Sequence, residues 1–261
     1  MAKLMGVVNV TPDSFSDGGL YLDPAAAIAH GRELVATGAE ILDVGGESTR
    51  PGAEPVAAEE EMRRVVPVVE GLRELDCEIS VDTSKAAVAA AALEAGAMIV
   101  NDVTALRGDP EMAPLCAERG ATVVLMHMLG EPRTMQVDPR YDDVVADVKA
   151  FLAARLQAAT AAGIAEERVW LDPGIGFGKT AAHNMELLRR LGELRELGRP
   201  LVIGTSRKSF IGKLDGSAAG ERLGGTIASS VLAAVEGAEV LRVHDVAEMR
   251  QALAVAMAIL G

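Results

Sequence analysis

Cysteine is nearly absent from the 261-residue chain. Cys77 and Cys116, expected in different helical regions and with no C-x-x-C spacing, provide no disulfide framework and no zinc site, so a reducing compartment fits. Long hydrophobic runs are missing as well. No apolar stretch approaches membrane-spanning length, and the opening M-A-K-L-M-G-V-V-N-V turns polar too soon for a targeting signal, so a soluble, cytoplasmic protein is expected. Positive charge is in short supply, with 25 Lys and Arg against 38 Asp and Glu, a net charge of −13. That balance argues against nucleic acid or an anionic membrane as partner, since both need a basic face. An anionic small molecule stays open if cations gather locally. There is no linker, low-complexity tail or solenoid-length repeat.

What the chain does have is apolar residues, 49% of it, enough for one large core. They fall in short β-rich runs that alternate with helical patterns. Eight candidate strands lie at residues 5–10, 41–44, 79–82, 98–102, 122–127, 169–172, 201–204 and 240–243. Between them run stripes of helical spacing: Met62, Val65, Val66, Val69 and Leu72; Val144, Val145, Val148, Phe151 and Leu156; Leu187, Leu188, Leu191 and Leu194. Asp23-Pro24 and Asp109-Pro110 pair an N-cap acceptor with a proline, and Asp245 with Glu248 resembles a capping box. This alternation predicts an α/β protein, a single-domain (β/α)8 TIM barrel over residues 1–261; a doubly wound open sheet shares the pattern and is the alternative.

In a barrel the active site lies at the C-terminal mouths of the strands. The richest mouth is W-L-D-P-G-I-G-F-G-K, Trp170 to Lys179. Asp172 stands where the strand must stop, because Pro173 offers no backbone donor and disfavours helix before it. Gly174, Gly176 and Gly178 let the backbone take positive φ or approach a flat ligand, and Phe177 offers a ring as a wall. Other mouths carry Asn9 with T-P-D-S-F-S-D-G-G, S-T-R-P-G, Asp82-Thr83-Ser84-Lys85, Asn101-Asp102, Met126-His127-Met128, T-S-R-K-S and Arg242-Val243-His244-Asp245. Each has a plain structural explanation: Asp82 and Asn101 as helix caps, Arg242 and His244 in structural hydrogen bonds, Arg207-Lys208 as a solvated turn. Together they place acids, amides and cations on one rim of an apolar scaffold.

V-N-V-T-P-D-S-F-S-D-G-G, E-S-T-R-P-G, V-D-T-S-K, I-V-N-D-V, L-M-H-M, D-P-G-I-G-F-G-K, G-T-S-R-K-S and R-V-H-D-V occur in the order and spacing of the dihydropteroate synthases of folate biosynthesis, which this chain resembles from Asn9 to Asp245. Ile175 is a departure, standing where many of those proteins carry an aromatic residue. The resemblance implies condensation of 6-hydroxymethyl-7,8-dihydropterin diphosphate with p-aminobenzoate to 7,8-dihydropteroate and diphosphate. It implies a pterin site of Asp82, Asn101, Met126, Asp172, Phe177, Gly204 and Lys208, in which Asp172 accepts two adjacent ring donors. It implies a diphosphate site of Asn9, Arg50, Arg242 and His244, with Asn9 also the protein contact of a Mg²⁺ that draws its other ligands from water and phosphate. It implies a p-aminobenzoate pocket of Phe15, Thr49, Pro51, Phe177, Ser206 and Lys208, and pairing of barrels through outer helices as a homodimer.

The resemblance gives catalysis to Asp82, Asp172, Lys208 and Arg242, acting by charge and position. Dissociative substitution at the pterin methylene is the expected mechanism, from a conjugated ring able to delocalise cationic charge and motifs that offer no Ser-His or Cys-His nucleophile pair. The loops at residues 11–22 and 48–56, long and rich in Gly, Pro and Ser, are expected to close as lids over diphosphate. Two alternatives have weaker support. Pterin-binding methyltransferases share the V-D-T and N-D elements but have no use for S-T-R-P-G or R-V-H-D-V, and a non-catalytic pterin-binding relative is expected to lack Asp172, Lys208 or the Asn9 loop.

Overall fold

A computed structural model of the chain describes residues 1–11, 23–48, 53–130 and 134–261. Among them are eight strands: β1 (Lys3–Asn9), β2 (Ile41–Gly45), β3 (Glu78–Asp82), β4 (Ile99–Asp102), β5 (Thr122–Met126), β6 (Val169–Asp172), β7 (Val202–Ile203) and β8 (Val240–Val243). Ten α-helices separate them: α1 (Pro24–Ala36), α2 (Ala58–Leu72), α3 (Ala86–Ala95), α4 (Met112–Arg119), α5 (Val144–Ala161), α6 (Ala181–Arg189), α7 (Leu191–Arg195), α8 (Ser209–Asp215), α9 (Leu223–Val235) and α10 (Val246–Leu260). The strands run β6-β5-β4-β3-β2-β1-β8-β7, each parallel to its neighbours. One further parallel bridge, Leu171 to Leu201, joins the two ends and closes the sheet into the expected (β/α)8 barrel. β7 is shorter than the pattern suggests. Pro200 has no N–H to donate, and the Leu201 N–H goes to the Glu239 carboxylate at 2.8 Å.

Side-chain caps open three of the ten helices described, α1, α5 and α6. Asp23 accepts from the Ala25 N–H ahead of α1, with Pro24 in the first turn, and Asp143 accepts from Val145 and Ala146 to open α5. Two expected caps act elsewhere. Asp245 makes no capping bond to α10, because its carboxylate is taken by Arg207 at 2.6 Å. Asp109 accepts from Glu111 but also from Ala86, the first residue of α3, so it fastens a neighbouring helix rather than capping α4. Cys77 lies in the turn before β3 rather than in a helix, and both thiols are free.

Outward strand residues such as Leu4, Leu42, Val81, Val100, Val123 and Leu171 pack against Val65, Val69 and Leu72 of α2 and Val145, Val148 and Leu152 of α5 in one continuous core. The barrel interior holds a separate apolar layer of Met5, Ile41, Ile99, Val124, Val202 and Val240 with Trp170. Because strand side chains alternate, the next inward position on each strand is two residues on. Those positions are Asp43 after Ile41, Asn101 after Ile99, Met126 after Val124, Asp172 after Trp170, Gly204 after Val202 and Arg242 after Val240. The interior therefore turns from hydrocarbon to polar groups at the C-terminal end, where the helices are fed by loops.

Candidate active site

Strand register carries the first row of polar residues: Asn9 pairs with Gly45, Gly45 with Asp82, and Asp82 with Asn101, placing the ends of β1 to β4 level around one rim. On the far side Met126 pairs with Asp172. Arg242 reaches across the interior, donating from Nε to Asp43 at 2.6 Å and from Nη2 to Asp82 at 2.9 Å. Its Nη1 bonds to none of the described residues. Asn101 donates from Nδ2 to the same Asp43 at 3.1 Å. Asp82 and Asn101 thus belong to a buried charge network, not to helix caps.

The turn after β6 is built from backbone conformations that only glycine adopts easily. Gly174, Gly176 and Gly178 have φ of 68°, 86° and 64°, and a Cβ on Gly174 would lie 1.9 Å from the His127 carbonyl oxygen. Asp172 accepts from the Gly174 N–H at 2.6 Å, leaving its other oxygen for a ligand. Beneath the turn sits Lys179, almost completely buried, its Nζ meeting the Gly174 and Phe177 carbonyls at 3.0 and 2.9 Å and His127 Nδ1 at 2.9 Å. Phe177 packs with Val103, Met126, Met128 and Met135 as an apolar pad at the mouth. Lys208 stands over the Phe177 ring, 4.8 Å from its centroid, and donates to the Ile175 carbonyl. Arg207, the residue before it, holds φ of 57° and pairs with Asp245, so this stretch is a fixed corner rather than a solvated turn. Gly204 lies between Lys208 and Arg242: a Cβ there would be 3.6 Å from Lys208 Nζ and 3.7 Å from Arg242 Cβ, ordinary contact distances.

The electrostatics follow from burial. Desolvation raises the pKa of Asp172, opposed by the charges of Lys208 and Lys179 and by the Gly174 N–H, and it pushes Lys208 down to about 8. Asp82 is raised by burial and then by the charge of Asp43, with Arg242 opposing. Burial alone would depress Arg242, but Asp43 and Asp82 outweigh it and keep the guanidinium firmly charged. His127 is pushed down to about 3 by burial and Lys179, so it is neutral.

His244 Nδ1 lies 2.9 Å from Ser206 Oγ, so the rim does bring a Ser and a His together, contrary to expectation, because β8 and the turn after β7 are neighbours in the barrel; the same hydroxyl also accepts from the His244 backbone N–H at 3.3 Å, tying the two segments. Ile175 is fully buried in the main core and does not form the pocket wall; only its carbonyl reaches Lys208. Phe15, Thr49, Arg50 and Pro51 lie outside the described residues, as do residues 12–22 and 49–52 of the two expected lids. Among the described residues no cluster of three or more His, Cys, Asp or Glu could cage a metal. Asn9 Oδ1 lies 3.8 Å from the point a Cβ on Gly45 would take, beside Asp82 Oδ2 at the same distance, which is held by Arg242. A neutral hard oxygen such as Asn9 Oδ1 suits a Mg²⁺ that keeps waters and phosphate oxygens as its other ligands.

An apolar pad, an acid with a free oxygen and cations alongside have the chemistry to suit a planar heterocycle carrying an anion. The family model of pterin binding enzymes matches residues 5–244. The chain belongs to that family. Similar to this pterin-binding enzyme is the dihydropteroate synthase of Escherichia coli strain K12, 48% identical over 259 residues, 99% of this chain and 92% of that one. Among solved structures, the Xanthomonas albilineans dihydropteroate synthase with 4-aminobenzoic acid superposes with a TM-score of 0.93 at 50% identity, covering 100% of this chain and 93% of that one. The same enzyme in complex with 7,8-dihydropteroate gives a TM-score of 0.89 at 47% identity, covering 100% and 94%.

Sequence reasoning missed several residues of the pterin-binding enzyme's rim. Asp43, fully buried in the middle of β2, was the most visible, since a charge inside an apolar strand already needs a partner. Lys179 closed the glycine run without a role. Lys85 of V-D-T-S-K joins fully buried Glu61 of α2 at 2.5 Å and also Glu47, fastening the start of the loop after β2. No local signal marks that cluster, because its members come from three separate segments.

Proposed function

We propose that the chain condenses 6-hydroxymethyl-7,8-dihydropterin diphosphate with p-aminobenzoate, forming 7,8-dihydropteroate and releasing diphosphate. What supports this reading is Asp172 with one oxygen free and facing the charge of Lys208, which stands over the Phe177 ring, while Arg242 and Asn101 meet at Asp43. Whole-length similarity to dihydropteroate synthases, one of them seen with 7,8-dihydropteroate, supports it.

In the reaction, the free oxygen of Asp172 accepts from adjacent pterin donors, Asn101 meets a ring edge that both gives and takes hydrogen bonds, and Lys208 donates to the ring carbonyl or nitrogen. Met126 and Phe177 wall the flat faces. The methylene C–O bond breaks first, and its electron pair departs with diphosphate, drawn by Arg242 and His244. Asp82 and Asp172 stabilise the cation left on the conjugated ring. The lone pair of the p-aminobenzoate amine then forms the C–N bond, and the nitrogen gives up a proton. An arylamine is already a neutral nucleophile, so no strong base is needed. Mg²⁺ held at Asn9 would supply further positive charge to the diphosphate oxygens. Ser206, Phe177 and Lys208, with Phe15, Thr49 and Pro51, form the p-aminobenzoate side, and Arg50 joins the anion side.

The same proposal includes a homodimer. Leu232 and Val235 of α9 and Val255, Ile259 and Leu260 of α10 are exposed on adjoining helices, an apolar surface suited to a second copy. No helix among the described residues is long and apolar enough to cross a membrane, which fits work in the cytoplasm.

Diphosphate release, measured from pterin diphosphate with and without p-aminobenzoate and Mg²⁺, tests the reaction. Release coupled to dihydropteroate formation and abolished by removing Mg²⁺ is expected. Binding of pterin without turnover would favour a non-catalytic relative, and trapping of a covalent pterin–enzyme adduct would overturn the dissociative route.

A further inference from the structure

Asp43 is fully buried below the mouth, so it meets no ligand. Its Oδ2 nevertheless receives both Arg242 Nε at 2.6 Å and Asn101 Nδ2 at 3.1 Å, while its Oδ1 has no hydrogen-bond partner among the described residues. We propose that Asp43 is a positioning residue for the reaction, fixing with one oxygen both the guanidinium that draws diphosphate and the amide that reads the pterin edge. This rests on the roles given to Arg242, Asn101 and Asp82 under Proposed function.

Stability alone does not account for such a group. A buried carboxylate is tolerated when its attraction to a partner repays desolvation and its remaining lone pairs are satisfied, and replacing the whole arrangement by apolar residues is often neutral or stabilising. Here one oxygen has no partner among the described residues, and neither does the buried hydroxyl of Ser80, its neighbour in register on β3. What the carboxylate does supply is orientation. An amide beside a carboxylate must turn its NH2 toward it, since the carbonyl would face a like dipole, so Asn101 is held with its oxygen directed away from Asp43. Arg242 is a planar fork, and acceptors at Nε and Nη2 fix that plane, leaving Nη1 as the donor available to an anion. The pterin and diphosphate ends of one substrate are thus set by a single atom.

The test is Asp43→Asn, which keeps shape and one acceptor but removes the charge. Arg242 and Asn101 then lose the charged acceptor that fixes them. Affinity for inorganic diphosphate, read by titration calorimetry, should weaken about tenfold, and kcat should fall with it, while the KM for p-aminobenzoate stays at the wild-type value. Asp43→Ser, smaller and neutral, carries the same expectations if the amide is not accommodated.

A decline of every constant, the KM for p-aminobenzoate included, in step with Tm would overturn the proposal, because a purely structural role has that signature. Wild-type protein that binds no diphosphate would instead overturn the role of Arg242 and the proposal with it, a result distinct from a uniform decline.

Discussion

On the flank of the mouth made by β2, β3, β4 and β8, polar side chains are held by one another: Arg242 by Asp43 and Asp82, and Asn101 by Asp43. On the flank made by β6 and β7 they are held by backbone. Lys208 donates to the Ile175 carbonyl, Lys179 to the carbonyls of Gly174 and Phe177, and Asp172 accepts from the Gly174 N–H. The first arrangement depends on balanced charge and on strands that fix where each side chain starts. The second depends on the shape of a glycine turn and tolerates charge changes as long as that shape survives. Substitutions that alter charge and substitutions that alter shape should therefore separate the two flanks.

The largest effect is expected for Arg242→Ala. It leaves Asp43 and Asp82 buried without a counter-charge, and loss of about 3–5 kcal/mol in urea unfolding is expected alongside loss of activity. If stability were unchanged, the first flank would not be a charge network. Next comes Gly174→Ala, where positive φ and a 1.9 Å approach to the His127 oxygen predict a loss of about 3 kcal/mol in the same assay, against a gain of up to about 1 kcal/mol for Gly192→Ala, a glycine of α7 that meets nothing nearby.

Lys179→Met should cost about 2 kcal/mol by abandoning the Gly174 and Phe177 carbonyls. It also has a pH signature. Burial lowers the Lys179 pKa from 10.5 to about 7, so between those values the unfolded chain binds a proton that the folded one does not. Wild-type stability therefore gains a positive contribution as pH rises through that window, and the difference between wild-type and Lys179→Met unfolding curves should show it. A difference that stays flat across that window would show that Lys179 remains charged in the folded protein. The smallest effect on the fold is expected for Asp172→Asn, which still accepts from Gly174 but turns a donor toward the pterin's donors. Pterin affinity should drop by at least ~2 kcal/mol with Tm almost unchanged, and normal binding would remove Asp172 from the site.

The second flank was the more legible in sequence. D-P-G-I-G-F-G is a local device, and its strand end, its acid and its positive-φ glycines all stand where the letters place them. The barrel was legible for a similar reason, since the period of apolar residues marks strand and helix without knowledge of what packs on what. The first flank depends on pairings across as many as 199 positions, Asp43 with Arg242, which no local pattern carries. Asp245 and Asp109 show the same limit: each has the composition of a cap, and each is claimed by a residue from elsewhere in the chain.

The barrel's seam lies under the legible flank. β6 and β7 are joined by the single bridge from Leu171 to Leu201, whereas β1 and β2 share five registered pairs. Asp172 rises from one lip of that seam and Lys208 from beyond the other. A heterocycle gripped by both works as a clasp across the least-stitched join in the cylinder, so occupancy and closure of the scaffold reinforce each other.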